Sequence, residues 1–196
     1  MIERCAEFGA SFMLLSICTD KVYAITKGVI MNYKEEALKM IEQGRVVFPL
    51  TDMDGNITGV TGKLTLKKDP TVPTYVVRGT GFFGDFNTKA DTIIITEGIM
   101  DGLIAQTEKY DNVVSFANAT PDKAFTDDVL KRLAEMNKKF ILFFDNDKMG
   151  QKSANMLCEK MKEYGIEVYN YQLENAVDLM DFLKQGSSLD EIAESL

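Results

Sequence analysis

Hydrophobic and polar residues follow two different patterns along this chain, and the pattern changes near residue 90. From Arg45 to Arg78, short runs rich in β-branched and aromatic residues are separated by turn residues, as in RVVFPL, NITGVTGKLTL and TYVVR. The Asp-Gly pair between the first two runs is a typical hairpin signal. The pattern predicts a small antiparallel sheet, preceded by a short amphipathic helix over 32–44 that ends at a glycine.

After residue 90, apolar strand-like runs alternate with amphipathic helical segments. We expect strands at 92–96, 112–116, 139–144 and 166–172, separated by helices at about 98–109, 126–137 and 149–164. Strands separated by helices indicate βαβ units and a parallel sheet. The glycine-rich segment 79–89 is expected to connect the two parts. Residues 1–31 give a weaker pattern, with apolar stretches at 12–18 and 22–25 that fit short strands.

Acidic side chains follow two of the predicted parallel strands. Glu97 comes directly after the first of them, and Asp101 lies one helical turn further on. Asp145 and Asp147 follow the third strand. Because parallel strands present their carboxyl ends at one edge of a sheet, we expect these four carboxylates to converge. Such a cluster repels itself unless a cation binds, and oxygen-only ligands suit Mg²⁺ or Mn²⁺.

Composition excludes several classes of site. The chain has 196 residues and 45% hydrophobic content, enough for a sizeable core, and it contains no histidine. A Ser-His-Asp triad and a histidine general base are therefore excluded, and the three cysteines lack the spacing of a zinc finger. Scattered cysteines fit a reducing cytoplasm. The apolar run from Gly9 to Cys18 is too short to span a bilayer, so we expect a cytoplasmic protein without zinc or a membrane anchor.

Charge is distributed unevenly between the two halves. The net charge of −8 by itself argues against a nucleic-acid-binding protein. Residues 1–90, however, carry 11 basic and 10 acidic residues, whereas residues 91–196 carry 11 and 20. The excess acidity therefore belongs to the half that holds the carboxylates, where a divalent cation would offset part of it. The basic residues of the first half fit either a phosphate-binding surface or strand edges protected by lysine.

The motifs resemble known proteins in two ways, one broad and one more specific. Glu97-Gly98-x-x-Asp101 and Asp145-x-Asp147, each after a strand, resemble the acidic signature of the Toprim domain of primases, topoisomerases and related nucleases. The finer resemblance is to the catalytic core of bacterial DnaG-type primases. It rests on RVVFPLTDMDGNITGVTGK at 45–63, FDNDKMGQKSA at 144–154 and DLMDFL at 178–183.

This resemblance implies an α/β fold. We expect a Toprim, Rossmann-like parallel sheet flanked by helices, with a smaller N-terminal α+β subdomain that contains an antiparallel sheet. The subdomain is expected at 1–88, the Toprim domain at 89–186 and a helical tail at 187–196. We expect neither the zinc-binding domain nor the helicase-binding domain of a full primase.

The resemblance also implies roles for particular residues and ligands. The catalytic residues would be Glu97, Asp101, Asp145 and Asp147, and the ligands of Mg²⁺ or Mn²⁺ would be Glu97, Asp145, Asp147 and Asp178. Nucleotide or nucleic acid would be bound by Arg45, Lys63, Arg78, Lys148 and Lys152. The implied substrates are nucleoside triphosphates and a single-stranded DNA template, with a helicase or a separate template-binding protein as partner.

Several functions remain open on the sequence alone. The first is RNA primer synthesis by nucleotidyl transfer, the second is phosphodiester cleavage as in Toprim nucleases, and the third is a regulatory module that only binds nucleotide or nucleic acid. An Asp-x-Asp loop also occurs in haloacid dehalogenase-type enzymes, but it normally continues into Thr or Val where this chain has Met149. Receiver domains place their paired acids at the first strand. A purely solvated acidic strand tip would not account for five carboxylates in matching contexts.

Overall fold

The structure is a computed structural model of the chain. It describes residues 17–18, 21–22, 33–65, 70–117, 120–173 and 176–195. Two short strands, β1 (Ile17–Cys18) and β2 (Lys21–Val22), pair in antiparallel fashion. The remainder of the apolar stretches at 12–18 and 22–25 lies outside the described residues. Within the described ranges, no helix is both long enough and apolar enough to cross a membrane.

The N-terminal half continues with one helix and four strands. These are α1 (Lys34–Glu42), β3 (Arg45–Thr51), β4 (Ile57–Leu64), β5 (Tyr75–Gly79) and β6 (Phe82–Phe83). The helix ends before Gly44, whose φ of +74° reverses the chain into β3. The turn between β3 and β4 contains Gly55 with a φ of +80°, as the Asp-Gly pair predicts.

The second half alternates strands and helices in the predicted order. Its elements are β7 (Thr92–Thr96), α2 (Ile99–Thr107), β8 (Val113–Phe116), α3 (Asp127–Glu135), β9 (Lys139–Phe143), α4 (Lys148–Glu163), β10 (Val168–Asn170), α5 (Leu179–Lys184) and α6 (Leu189–Ser195). A 3-10 turn at Pro121–Lys123 precedes α3. The observed helices and strands are one or two residues shorter at some ends than the sequence pattern predicts, which is where helices and strands fray.

Eight of the strands form one mixed sheet in the order β10-β9-β7-β8-β6-β3-β4-β5. Strands β10, β9, β7 and β8 are mutually parallel, and every pairing from β8 to β5 is antiparallel. The predicted α/β fold is therefore confirmed. The segment 79–89, expected only as a connection, also contributes β6, because the buried Phe82 and Phe83 pair with both β3 and β8. The antiparallel and parallel parts are thus one continuous sheet.

Helices cover both faces of this sheet. On the face we call A, α3 and α4 pack against the parallel strands, and α1 packs against β3 and β4. On the opposite face, called B, α2 contacts Phe48 and Leu50 of β3, while α5 and α6 pack against β7 and β9. The runs of β-branched and aromatic residues in β7 and β9 are buried because they meet helices on both sides.

The order of the strands creates a crevice at one point of the sheet. Strands β7 and β9 are neighbours, but α2 leads from β7 to β8 on one side, and α4 leads from β9 to β10 on the other. Connections that leave neighbouring strands in opposite directions define the crevice where open α/β sheets bind ligands. Thr96 and Phe143 lie opposite each other in register at this point. The residues that follow them therefore line the crevice.

Candidate functional site

The crevice receives its first two carboxylates from the junction of β7 and α2. Residues 93–96 are buried, and Glu97 is the first residue beyond the strand. Gly98 occupies the N-cap position of α2, and a Cβ at Gly98 would collide with the carboxylate of Asp101. The carboxylate of Asp101 therefore lies directly against Gly98, the residue that follows Glu97.

Two further carboxylates follow β9. Asp145 is partly buried, and Asp147 is exposed. Asp147 caps α4, since its Oδ1 accepts hydrogen bonds from the backbone N–H groups of Met149 and Gly150, both at 2.8 Å. A Cβ on Gly150 would collide with the main-chain oxygen of Asp145. The start of α4 thus packs closely against the backbone that carries Asp145.

The fifth carboxylate comes from the loop between β10 and α5. Asp178 caps α5 by accepting a hydrogen bond from the backbone N–H of Asp181 at 2.8 Å. The loop contacts Asn146, whose backbone N–H donates to the Val177 carbonyl at 2.8 Å and whose Nδ2 donates to the Leu173 carbonyl at 2.8 Å. These bonds connect the residue before Asp178 to the residue between Asp145 and Asp147.

The carboxylates influence one another's protonation. Burial, followed by the charges of Asp145 and Asp147, raises the pKa of Glu97. Burial, followed by the charges of Asp145 and Asp178, raises the pKa of Asp101 from 3.8 to about 7. The pKa of Asp145 is raised by burial, with Asp178 and Asp147 adding to the effect. The five side chains therefore form one electrostatic cluster.

No basic side chain neutralises this cluster within the described residues. The ion pairs found there are Lys131–Asp128, Arg132–Asp54 and Lys160–Asp127. In the same part of the chain, no three acidic or cysteine side chains come together closely enough to hold a metal ion by themselves. The site has the charge and the oxygen donors for a divalent cation, but it would share the coordination with other ligands. Mg²⁺ is commonly held in this way, by one or two carboxylates together with water and substrate phosphates.

Arg45, predicted as a nucleic-acid contact, has a different position. Its side chain is 3% exposed, and its guanidinium donates hydrogen bonds to the carbonyls of Gly62, Pro73 and Thr74 at 3.3, 2.8 and 3.0 Å. These bonds connect β3 and β4 to the loop before β5. Because the guanidinium is occupied by main-chain carbonyls, Arg45 is not among the residues that we propose below for binding.

Lys63 and Arg78 lie on opposite faces of the sheet. In the register of β4 and β5, Lys63 pairs with Tyr75 and Arg78 pairs with Val60. Side chains alternate between faces along a strand, and Val60 lies three positions before Lys63. Because this spacing is odd, the two pairs point to opposite sides. Lys63 lies on face B with its Nζ 5.5 Å from the centre of the Tyr75 ring, whereas Arg78 is exposed on face A. The two side chains are therefore not brought together.

The other two predicted basic contacts lie at the start of α4. Lys148 is the first residue of the helix, and Lys152 is one turn further on, so both project from the same side. Both are exposed. Lys148 directly follows Asp147, which leaves these two lysines accessible at the end of the sheet that carries the acids.

Two features beneath the site were not predicted from the sequence. The hydroxyls of Thr96 and Ser115, both fully buried, share a hydrogen bond of 2.6 Å between the ends of β7 and β8. A hydroxyl at the end of each of two buried strands is a local signal that could have indicated this pair. The contacts of Asn146 could not be predicted from the local sequence, because their partners lie more than 25 residues further along the chain.

Comparison with known proteins agrees with this geometry. The family model described as Toprim-like matches residues 94–183, the segment that contains all five carboxylates. A DNA primase from Clostridium acetobutylicum is 28% identical in an alignment of 189 positions that covers 88% of this chain and 30% of that protein. A DNA primase from Lactococcus lactis is 25% identical over 63% of this chain and 21% of its own length. The chain thus spans less than a third of the curated relatives it matches.

Solved structures show the same fold. The zinc-binding and RNA polymerase domains of the Aquifex aeolicus primase superpose with a TM-score of 0.62 at 22% identity, over 92% of this chain and 42% of that chain. The E. coli primase catalytic core gives a TM-score of 0.62 at 18% identity, over 92% and 56%. The predicted resemblance is confirmed: residues 94–183 match the Toprim-like family model, and the chain resembles bacterial DNA primases in sequence and has the fold of their catalytic core.

Proposed function

We propose that this chain is a primase-type nucleotidyltransferase, which synthesises RNA primers on a single-stranded DNA template together with partner proteins. The observation that supports this most directly is the placement of Glu97 and Asp145. They follow neighbouring parallel strands at the crevice, and they share an unneutralised negative field with the other three carboxylates. A crevice of this charge suits a divalent cation with the phosphates of a nucleoside triphosphate.

The residues present fit a bound Mg²⁺ or Mn²⁺. Glu97, Asp145, Asp147 and Asp178 would share the coordination of the cation with water and substrate phosphates, because they provide only oxygen donors and raise the pKa values within their own cluster. Asp147 and Asp178 each use Oδ1 to cap a helix, which fixes the orientation of the carboxylate. When bound, the cation supplies positive charge that offsets the charge developing on the phosphate.

Glu97 is proposed to accept the proton of the attacking hydroxyl. In nucleotidyl transfer the 3′-hydroxyl oxygen forms a bond to the α-phosphorus, the bond from that phosphorus to the bridging oxygen breaks, and pyrophosphate leaves. The hydroxyl proton then needs an acceptor. Its raised pKa makes the Glu97 carboxylate a stronger base than an ordinary glutamate. Asp101, with a pKa of about 7, would hold a proton part of the time at neutral pH and so limit its repulsion with Asp145 and Asp178.

Phosphate contacts are assigned to the basic residues that remain accessible. Lys148 and Lys152 at the start of α4 would contact the triphosphate or the template backbone, and Lys63 would contact the same ligand from face B. Lysine ammonium groups bind phosphate as point charges, so this interaction would be sensitive to salt. Arg78, on face A, would contact a different part of the template.

Primer synthesis is the direct test. The chain is incubated with labelled ribonucleoside triphosphates, single-stranded DNA and Mg²⁺ or Mn²⁺, alone and with a replicative helicase. We expect short labelled oligonucleotides that disappear in Glu97→Gln and persist in Asp128→Asn, a charge removal at an exposed position on α3. Absence of labelled oligonucleotide with every template, metal and partner would contradict the proposal.

A nuclease function is the second candidate. It is favoured by the positions of Arg45, Lys63 and Arg78, since one is buried against carbonyls and the other two lie on opposite faces. A site with few triphosphate contacts could still cleave a phosphodiester bond with the same cation. Metal-dependent nicking of DNA or RNA, abolished by Asp145→Asn, would distinguish cleavage from synthesis.

A regulatory binding module is the third candidate. It is favoured by the unneutralised carboxylates of the crevice, which suit a Mg²⁺-nucleotide whether or not a reaction follows. Such a module would hold a Mg²⁺-nucleotide or compete with a primase for its partners without turnover. Calorimetry that shows nucleotide binding, in a preparation with neither synthesis nor cleavage, would support it.

A further inference from the structure

Asn146 lies between Asp145 and Asp147, yet its polar atoms bond to a different part of the chain. Its backbone N–H donates to the Val177 carbonyl at 2.8 Å. Its side-chain Nδ2 donates to the Leu173 carbonyl at 2.8 Å and approaches the Ala176 carbonyl at 3.4 Å. The residue between the two acids therefore contacts the loop that leads to Asp178.

This loop is held to the sheet in two ways. Leu173, Ala176 and Leu179 are buried in the same hydrophobic cluster as Phe143 on face B. Apolar contacts hold the loop against the sheet, but they are not directional and do not set its position along the sheet. The second attachment is polar and comes from Asn146. Directional hydrogen bonds to carbonyls on both sides of the loop set its position relative to the end of β9.

The remaining polar contacts near Asp178 stay within α5 and its cap. The Asp181 backbone N–H donates to Asp178, and the Val177 backbone N–H donates to Oδ2 of Asp181 at 3.2 Å. These bonds orient Asp178 relative to its own helix, and they would move together with that helix. Within the described residues, the hydrogen bonds from the residues that follow β9 to the loop before Asp178 all come from Asn146.

We propose that Asn146 is a positioning residue, which holds Leu173, Ala176 and Val177 in place so that Asp178 stays beside Asp145 and Asp101. This proposal rests on the proposed function of the carboxylates as a cation site. The charge of Asp178 already acts on both Asp101 and Asp145, so displacement of the loop would remove one donor from the cluster. When a group that hydrogen-bonds to a metal ligand and orients it is removed, metal affinity typically falls by about 10- to 100-fold.

Two measurements on the full chain test the proposal. Hydrogen exchange of the residue 146 amide, which donates to the Val177 carbonyl, reports on the attachment of the loop without any metal, and Mn²⁺ titration followed by electron paramagnetic resonance reports on the cation site. For Asn146→Ala we expect faster exchange at this amide relative to its intrinsic rate and a roughly tenfold weaker affinity for Mn²⁺. The matched control is Asn155→Ala, which removes an asparagine from α4 that bonds to Asn170 at 2.8 Å. We expect this control to leave both measurements unchanged.

Asn146→Asp separates positioning from charge. The aspartate has nearly the same shape, but it cannot donate to the carbonyls of the loop and it adds a negative charge beside the cation. Positioning predicts faster exchange and weaker Mn²⁺ binding in this variant, whereas a purely electrostatic role predicts tighter binding. Because aspartate and asparagine are isosteric, this variant can be used for the same two measurements if Asn146→Ala does not fold.

The outcomes distinguish this proposal from the function on which it rests. Absence of Mn²⁺ binding by the unmodified chain would overturn the cation site, while the exchange measurement would still report whether Asn146 holds the loop. Unchanged exchange in both Asn146 variants, with Mn²⁺ binding intact, would overturn the role of Asn146 and leave the cation site standing.

Discussion

Thr96 and Ser115 are joined by a 2.6 Å hydrogen bond between two fully buried hydroxyls, at the ends of adjacent parallel strands. The Thr96 hydroxyl also approaches the Gly98 carbonyl at 3.5 Å. A Cβ on Gly102 of α2 would collide with the Ser115 hydroxyl, so the helix lies directly over the pair. The turn that carries Glu97 is therefore built on two polar groups that satisfy each other.

Removing one hydroxyl of this pair should be costlier than removing both. Thr96→Val keeps the shape of the side chain but leaves the Ser115 hydroxyl buried without its partner, so we expect a loss of about 1–3 kcal/mol in the free energy of unfolding. The double variant Thr96→Val/Ser115→Ala should lose less than the sum of the two single variants. Urea denaturation measures all three, and additive losses would contradict the pairing.

Gly150→Ala should disturb the site through the backbone. The added Cβ would collide with the main-chain oxygen of Asp145, which is rigid, so either α4 or the end of β9 must move. We expect destabilisation of about 1–3 kcal/mol, as in other overpacked positions, together with weaker Mn²⁺ binding. Gly62→Ala is the control, because its Cβ would instead meet the side chains of Met40 and Arg45, which are not part of the carboxylate cluster. Equal effects of the two variants on Mn²⁺ affinity would argue against a specific contact with Asp145.

Removing a charge from the cluster should stabilise the protein in the absence of metal. Asp145 is destabilised as a carboxylate by burial and by Asp178 and Asp147, so Asp145→Asn relieves that repulsion. We expect a higher melting temperature in EDTA, and loss of the further increase that Mn²⁺ produces in the unmodified chain. Thermal denaturation with and without Mn²⁺ checks both. A lower melting temperature in EDTA would contradict the idea that the cluster is repulsive.

The stability of the metal-free protein should fall as pH rises through the acidic and neutral range. The folded protein binds the Asp101 proton more tightly than the unfolded chain, because the pKa rises from 3.8 to about 7 on folding. The stability that the Asp101 proton contributes is therefore fully present at pH values below the unfolded pKa. It falls between the two pKa values and is lost above about pH 7. Asp101→Asn should flatten this dependence, and Asp128→Asn should not. Urea denaturation at a series of pH values in EDTA provides the measurement.

The sequence predicts the ends of the buried strands well, because burial on both faces demands continuous runs of apolar residues. Glu97 and Asp145 could be placed in one crevice for this reason. Strand β6 could not be predicted, since two phenylalanines within a glycine-rich segment become a strand only through pairing with β3 and β8. The burial of Arg45 could not be predicted for a related reason: the carbonyls that accept its hydrogen bonds come from Gly62 and from the loop before β5.

Lys63 and Arg78 should differ in their effects on binding, because the register of β4 and β5 places them on opposite faces. Lys63 shares face B with α2 and α5, which flank Asp101 and Asp178, whereas Arg78 shares face A with α1. We expect Lys63→Ala to weaken the binding of nucleoside triphosphate. It should also reduce the slope of nucleic-acid affinity against salt concentration by the amount expected for the loss of about one phosphate contact. Arg78→Ala should leave nucleotide binding unchanged. Calorimetric titration of both variants at several salt concentrations measures these effects, and equal losses of nucleotide affinity would show that the two side chains reach the same phosphates despite their opposite faces.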